Sequence, residues 1–262
     1  MKTNVIYNMD NIEGLQDKID DNSIDLTVTS PPYDDLRTYD GVEWEFEQLA
    51  KELYRVTKEG GVIIWVIKDA VKDGDKTGSS FKQVLRFKDI GFNLYDTLIY
   101  KKSASSLPHD GRYLDNFEYM FVLSIGRPKT INLLQDHKNK QSGAKKTGAA
   151  REKDGTITKK PRREYPEYSR RFTIWEYSVG WGGTTSDKFA FDHPAMFPEK
   201  LAKDHIKSWS NDDNIVLDPF MGSGTTAKMA KKLDRKYIGF ELNKEYYEIA
   251  QKRVSEVQKE LI

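Results

Sequence analysis

Apolar positions along the chain recur with two periods, and each switch between them marks a change of element. Residues 4–7 predict a short strand that ends in Asn8-Met9-Asp10, and Ile12, Leu15 and Ile19 line one side of a helix over 11–19. Ile24, Leu26 and Val28 alternate through residues 23–29, a strand that stops at Thr29-Ser30-Pro31-Pro32-Tyr33. Two prolines continue neither a ladder nor a helix, so the chain turns there with Ser30 held extended. Phe46, Leu49, Leu53 and Val56 return to helical spacing, Glu59-Gly60-Gly61 breaks it, and residues 62–67 are almost wholly apolar. Such a run suits a central strand covered on both faces.

The same alternation continues to the end. Ser79–Ile90 predicts a helix closed by Gly91, residues 94–100 and 119–123 predict strands, and residues 101–116 form a polar loop between them. From 126 to 171 large apolar residues are few, and 141–160 read as a segment without order of its own. Order resumes at Phe172-Thr173-Ile174-Trp175. A helix is predicted over 198–206, with Pro198 at its start, then strands over 215–217 and 237–240 and helices over 227–233 and 246–257. Strands alternating with helices argue for an α/β fold with a mostly parallel sheet.

Composition narrows the chemistry. A chain of 262 residues is one large domain or a domain with an insert. It contains no cysteine, which removes disulfides, thiolate metal sites and every mechanism with a cysteine nucleophile. The four histidines (His109, His137, His193, His205) lack metal-ligand spacing, so no metal is expected. No apolar run reaches a membrane span and no signal pattern opens the chain, so an intracellular, cytoplasmic protein is expected. Net charge is +1, yet residues 129–171 hold 13 Lys/Arg against 5 Asp/Glu, leaving −7 on the remainder. Positive charge gathered in one block is how a polyanion-binding surface looks, although a solvated loop shares that pattern.

The most informative stretch is Asp218-Pro219-Phe220-Met221-Gly222-Ser223-Gly224-Thr225-Thr226. It joins an apolar strand to a helix start through a glycine turn, the place where α/β sheets bind ligands. Glu241 ends the next apolar run 23 residues beyond Asp218, a separation that suits an acid on the hydroxyls of a ribose. No Gly-Lys-Ser/Thr follows the loop, so the expected ligand is a nucleoside whose tail is not a polyphosphate. Alone, this loop or the Ser30-Pro31-Pro32-Tyr33 turn is a weak signal.

Together they are specific, and the sequence resembles the amino-directed DNA methyltransferases, which methylate the exocyclic amine of cytosine or adenine with S-adenosylmethionine. Thr29-Ser30-Pro31-Pro32-Tyr33 matches the catalytic motif and 218–226 the cofactor loop. The likeness extends to Glu241, to His193-Pro194-Ala195-Met196-Phe197-Pro198 and to Asp10. Catalytic motif before cofactor loop is the order of the group called beta. The resemblance implies a Rossmann-like methyltransferase fold with a mixed, mostly parallel sheet and circularly permuted motifs. Residues 1–126 and 172–262 would form the catalytic domain, and the basic insert 127–171 a target-recognition region.

The resemblance also implies site roles. Ser30, Pro31, Pro32 and Tyr33 would be catalytic, with Tyr33 stacking on a flipped base. Asp10 would meet the adenine amine, Asp218 the methionine end and Glu241 the ribose. Phe220, Gly222, Ser223, Gly224, Thr225 and Thr226 would complete the loop, with His193, Phe197 and Pro198 at the pocket wall. Asp10 reads equally as a helix cap, and His193 and Phe197 as plain core. For DNA the candidates are Lys101, Lys102 and Arg112 in one loop and Lys145, Lys146, Lys159, Lys160, Arg162 and Arg163 in the insert.

Elementary chemistry agrees with this set. An exocyclic base amine is a poor nucleophile because its lone pair is delocalised into the ring. Acceptors aimed at its two protons favour a pyramidal nitrogen, and the Ser30 hydroxyl and Pro31 carbonyl suit that task because the prolines fix the backbone. Methylation at the cytosine ring carbon needs a thiol, which this chain lacks. In these families Ser before the two prolines is associated more with cytosine N4, so cytosine N4 is expected and adenine N6 is the near alternative. An RNA or protein-glutamine methyltransferase, a binder with a decayed site and a nucleotide-dependent dehydrogenase are more distant ones. The sequence leaves open a homodimer and an accompanying restriction endonuclease.

Overall fold

A computed structural model describes residues 1–32, 45–104, 111–192 and 196–257. In chain order the elements are β1 (Val5–Asn8), α1 (Asn11–Lys18), β2 (Ile24–Thr29), α2 (Phe46–Val56), β3 (Thr57–Ile67), β4 (Val71–Lys72), β5 (Asp75–Lys76), α3 (Ser79–Ile90), β6 (Asn93–Lys102) and β7 (Phe117–Ser124). There follow β8 (His137–Lys138), β9 (Lys145–Arg151), β10 (Ile157–Glu164), β11 (Tyr168–Ser169), β12 (Ile174–Tyr177), α4 (Glu199–Trp209), β13 (Ile215–Asp218), α5 (Thr225–Lys232), β14 (Lys236–Glu241) and α6 (Lys244–Ser255).

Eight strands form one sheet in the order β1-β14-β13-β2-β3-β7-β6-β12. All pairings are parallel except those of β7, which runs antiparallel to both β3 and β6. The expected α/β architecture with a mixed and mostly parallel sheet is what the chain adopts. β3 is the reason the sheet is a closed core. Its residues 62–67 are all buried, and the period-2 geometry of a strand sends alternate side chains to opposite faces. Ile63, Trp65 and Ile67 meet Leu49 and Leu53 of α2 and Val84 and Phe87 of α3 in one cluster. The tertiary contacts group α1, α2 and α3 together, and α4, α5 and α6 together.

β3 begins five residues earlier than the apolar pattern predicts, because the strand enters through a bulge. Ile24 pairs with Thr57 and Leu26 with Val62, and the extra residues are absorbed around Gly60, whose φ is +78°. A glycine reaches that conformation without strain.

The chain divides into two compact units, Met1–Asn132 with Thr173–Ile262, and Leu133–Phe172. The second unit carries a β9/β10 hairpin, Lys145 facing Glu164 at one end and Arg151 facing Ile157 at the other. Residues 141–160, expected to lack order of their own, are therefore mostly paired backbone. The turn explains why: Asp154 accepts from Thr156 N at 2.9 Å and Thr156 Oγ1 at 2.7 Å, and Gly155 takes φ +87°. Asp and Gly supply the turn chemistry that closes a hairpin whose strands carry few apolar residues. No helix among the described residues is long and apolar enough to cross a membrane, and none of their His, Asp and Glu groups could hold a metal ion.

Candidate active site

Because seven strands point the same way, their C-terminal ends share one edge of the sheet, where open α/β sheets place ligands. β1 ends before Met9-Asp10, β14 at Glu241, β13 at Asp218 and β2 at Thr29. These ends open on one cavity of about 1430 Å³, lined by Asp10, Ser30, Pro31, Pro32, Phe197, Asp218, Phe220, Gly222, Ser223, Thr225 and Glu241 among others. Asp10 and Glu241, 231 positions apart in sequence, thus meet through the parallel pairing of β1 with β14. Further along the edge the same cavity is lined by Lys68, Asp69, Lys102, Arg112, Phe117 and Glu118.

The glycine loop is held from its own strand ends. Gly222 N–H donates to Glu241 Oε2 at 2.7 Å, and Asn243 N–H to Glu241 Oε1 at 2.9 Å. Each carboxylate oxygen keeps acceptor capacity beyond its backbone partner. Burial pushes the Glu241 carboxyl above its ordinary value, against backbone N–H groups that favour its charge. Gly222 (φ +51°) and Gly224 (φ +84°) are both left-handed. At Gly224 a Cβ would also meet the Ala250 Cα at 2.9 Å, so α6 lies directly behind the loop.

Asp218 is buried beneath the loop. Its Oδ1 accepts from Thr29 Oγ1 at 2.6 Å and from Phe220 N at 3.0 Å. Burial, with Glu241's charge adding to it, pushes the Asp218 carboxyl up to about 7 despite hydrogen bonds from Thr29, Thr226 and Phe220.

Several expected residues take other places. Asp10 lines the cavity, but its Oδ1 caps α1, accepting from Ile12 N at 2.8 Å and Glu13 N at 3.1 Å. Thr226 is not brought to the cavity: it is buried and donates to Val28 O at 3.1 Å, tying α5 to β2. Gly224 and Pro198 are also absent from the lining; Gly224 packs on Ala250 and Pro198 is the N-cap of α4. Ser223 and Thr225 reach the cavity, yet both hydroxyls accept from Arg253, 2.9 and 3.1 Å away. Arg253 was missed by the sequence reading. Tyr33 and His193 lie outside the described residues.

Among the DNA candidates, Lys101 pairs with Glu176 at 2.9 Å and Lys102 with Glu118. Lys102 and Arg112 line the cavity, whereas Lys101 does not. Lys145 is exposed on β9. Lys146, Lys159, Lys160, Arg162 and Arg163 lie on the β9/β10 hairpin, where their backbones alone are described.

The donor set fits a nucleoside ligand. It offers a carboxylate with free acceptor capacity, backbone exposed at a left-handed glycine, and walls of Phe197, Phe220 and Leu242. Comparison with known proteins agrees. A family model described as DNA methylase matches residues 24–252. The orphan methyltransferase M.BamHII of Bacillus amyloliquefaciens is 56% identical over 243 residues, 92% of this chain and 92% of that protein. Among solved structures, the PvuII DNA methyltransferase (cytosine-N4-specific) superimposes with a TM-score of 0.69 at 20% identity, covering 100% of this chain and 89% of the other. The M1.HpyAVI–SAM complex does so at 0.62 and 20% identity, covering 95% and 98%.

Proposed function

The chain belongs to the DNA methylase family whose model it matches over residues 24–252, and from that premise we propose that it methylates cytosine in DNA at N4. It is an S-adenosylmethionine-dependent DNA methyltransferase of the N4/N6 family. The observation that supports transfer to an exocyclic amine is the meeting of Ser30-Pro31-Pro32 with Gly222 and Glu241 in one cavity, and the choice of cytosine rests on Ser30. Glu241 would hold the ribose hydroxyls of the donor, and the glycine turn would let the backbone approach it. Bound there, S-adenosylmethionine supplies a methyl group already activated by its sulfonium charge.

The chain's own residues prepare the acceptor. Ser30 Oγ and the Pro31 carbonyl accept hydrogen bonds from the amine's two N–H groups, which draws the lone pair out of conjugation with the ring. Pro31 and Pro32 fix the backbone, so these acceptors reorganise little as the nitrogen changes shape. The Asp218–Thr29 bond anchors the strand end from which Ser30 departs. Ser30 supports cytosine N4 over adenine N6. Adenine N6 is the second reading, since both amines present the same two protons.

The basic unit at 133–172 is assigned to DNA, with Lys145, Lys146, Lys159, Lys160, Arg162 and Arg163 on phosphates. The name of the 56%-identical relative, an orphan methyltransferase, supports action without a cognate endonuclease. Transfer of radiolabelled methyl from S-adenosylmethionine to DNA tests the activity. Label in DNA with the parent and an initial rate about 100-fold lower with Ser30→Ala is expected. Equal labelling by both removes Ser30 from the reaction.

A further inference from the structure

Arg253 stands on α6 with its side chain fully buried. All three of its nitrogens are used. Nε donates to Asp187 Oδ2 at 2.8 Å, and Nη2 to Glu199 Oε1 at 2.7 Å and Thr185 Oγ1 at 3.2 Å. Nη1 turns the other way, to the Ser223 carbonyl at 2.9 Å, the Ser223 hydroxyl at 2.9 Å and the Thr225 hydroxyl at 3.1 Å. Lys228 reaches the same two carboxylates, each at 2.7 Å, so two cations face two anions in the interior. Against the upward push of burial, Lys228 and Arg253 hold the Asp187 carboxyl below its ordinary value.

Removing a charge from water is costly, and an apolar side chain would fill such a position at least as stably. What an apolar residue cannot do is bridge two carboxylates, through Nε and Nη2, to a main-chain carbonyl and two hydroxyls that share the two N–H groups of Nη1. Those three acceptors belong to Ser223 and Thr225, which flank left-handed Gly224 and line the cavity. Ala250, one turn earlier on α6, meets Gly224 from the same side. The carboxylates that fix the other end of the guanidinium lie on α4 (Glu199) and in the segment before it (Asp187).

We propose that Arg253 is a positioning residue of the methyl transfer: it sets the conformation of the Ser223–Thr225 turn that the cofactor binds. The role rests on the assignment of the glycine loop to S-adenosylmethionine. Arg253 touches no reacting group and acts only through the turn. Its loss therefore raises the requirement for cofactor and leaves the rate at saturation close to that of the parent.

The test is calorimetric titration with S-adenosylmethionine, together with kcat and KM, on Arg253→Lys, on Ser223→Ala/Thr225→Val and on the triple variant. Glu241→Ala serves as the reference for the cofactor end. Arg253→Lys keeps the charge and loses the fork. It should weaken S-adenosylmethionine binding about tenfold and raise its KM by the same factor, with kcat changed less than about threefold. The triple variant should lose little more than Arg253→Lys alone, because both changes break the same contacts. Unchanged affinity in Arg253→Lys with lowered affinity in Glu241→Ala overturns the positioning role and leaves the cofactor end in place. Unchanged affinity in both overturns the cofactor end and the positioning role with it. Fully additive losses in the triple variant also overturn it. If Arg253→Lys fails to fold, Glu199→Gln decides, since it loosens the far end of the guanidinium and lies outside the cavity lining: weakened binding supports the role, and parental binding overturns it.

Discussion

The Thr29 hydroxyl donates a 2.6 Å hydrogen bond to Asp218 Oδ1, joining the last residue of β2 to the last residue of β13. The same carboxylate oxygen accepts from Phe220 N, so the departures of the Ser-Pro-Pro turn and the glycine loop are fixed on one buried group. A second link, Thr226 Oγ1 to Val28 O at 3.1 Å, repeats the connection one residue back. The two motifs are therefore one mechanical unit.

Thr29→Val preserves shape and removes the donor, leaving a buried carboxylate oxygen with one partner fewer. We expect a loss of about 1–3 kcal/mol in unfolding free energy by urea denaturation. A stability equal to the parent's would show that the bond contributes nothing.

Asp218 also makes stability depend on pH. An unfolded aspartate gives up its proton near pH 4, whereas the folded one keeps it to about 7. The folded state thus binds the extra proton between those values. Its stabilising contribution is complete at the acidic end and is lost as pH rises through 7. Asp218→Asn abolishes the titration, so its unfolding free energy relative to the parent should improve by roughly 2 kcal/mol between about pH 5.5 and about pH 8. A pH-independent difference between the two proteins would contradict the buried-acid account.

Ser30 and Glu241 should separate catalysis from cofactor binding. Ser30→Ala is expected to lower single-turnover methyl transfer about 100-fold, with S-adenosylmethionine affinity within about twofold of the parent. Glu241→Ala should do the reverse, weakening the cofactor at least about tenfold. Stopped or quenched single turnovers and calorimetry read the two effects independently. Loss of cofactor affinity in Ser30→Ala would merge the two ends of the cavity into one site.

How much of this was readable in advance depends on burial. β3, β13 and β14 were legible because strands covered on both faces must be apolar almost throughout, and β2 through the alternation of Ile24, Leu26 and Val28. Phe46–Val56 and Ser79–Ile90 were legible to the residue, through helical spacing and the closing Gly91. The β9/β10 hairpin was not, because exposed polar strands lack the apolar alternation by which strands are found. Asp10 reads both as an adenine partner and as a cap, and the two are compatible: its Oδ1 caps α1 while the residue lines the cavity. Thr226 was assigned to the ligand because motif proximity carries no direction; its hydroxyl faces the sheet. Arg253 left one usable signal: it sits between Ala250 and Val254 on the buried stripe of α6, where a charge is rare unless paired.

The basic hairpin makes a separate prediction. Converting Lys159, Lys160, Arg162 and Arg163 to alanine should reduce the slope of log Kd for DNA against log salt by about 3 to 4. Fluorescence anisotropy across a salt series measures it. An unchanged slope would route the DNA elsewhere.

The central claim is tested most directly by nucleoside mass spectrometry of DNA incubated with the protein and S-adenosylmethionine. The account predicts N4-methylcytosine, formed about 100-fold more slowly by Ser30→Ala. N6-methyladenine in its place would contradict the choice of base, and DNA without any methylated nucleoside would contradict the reaction itself.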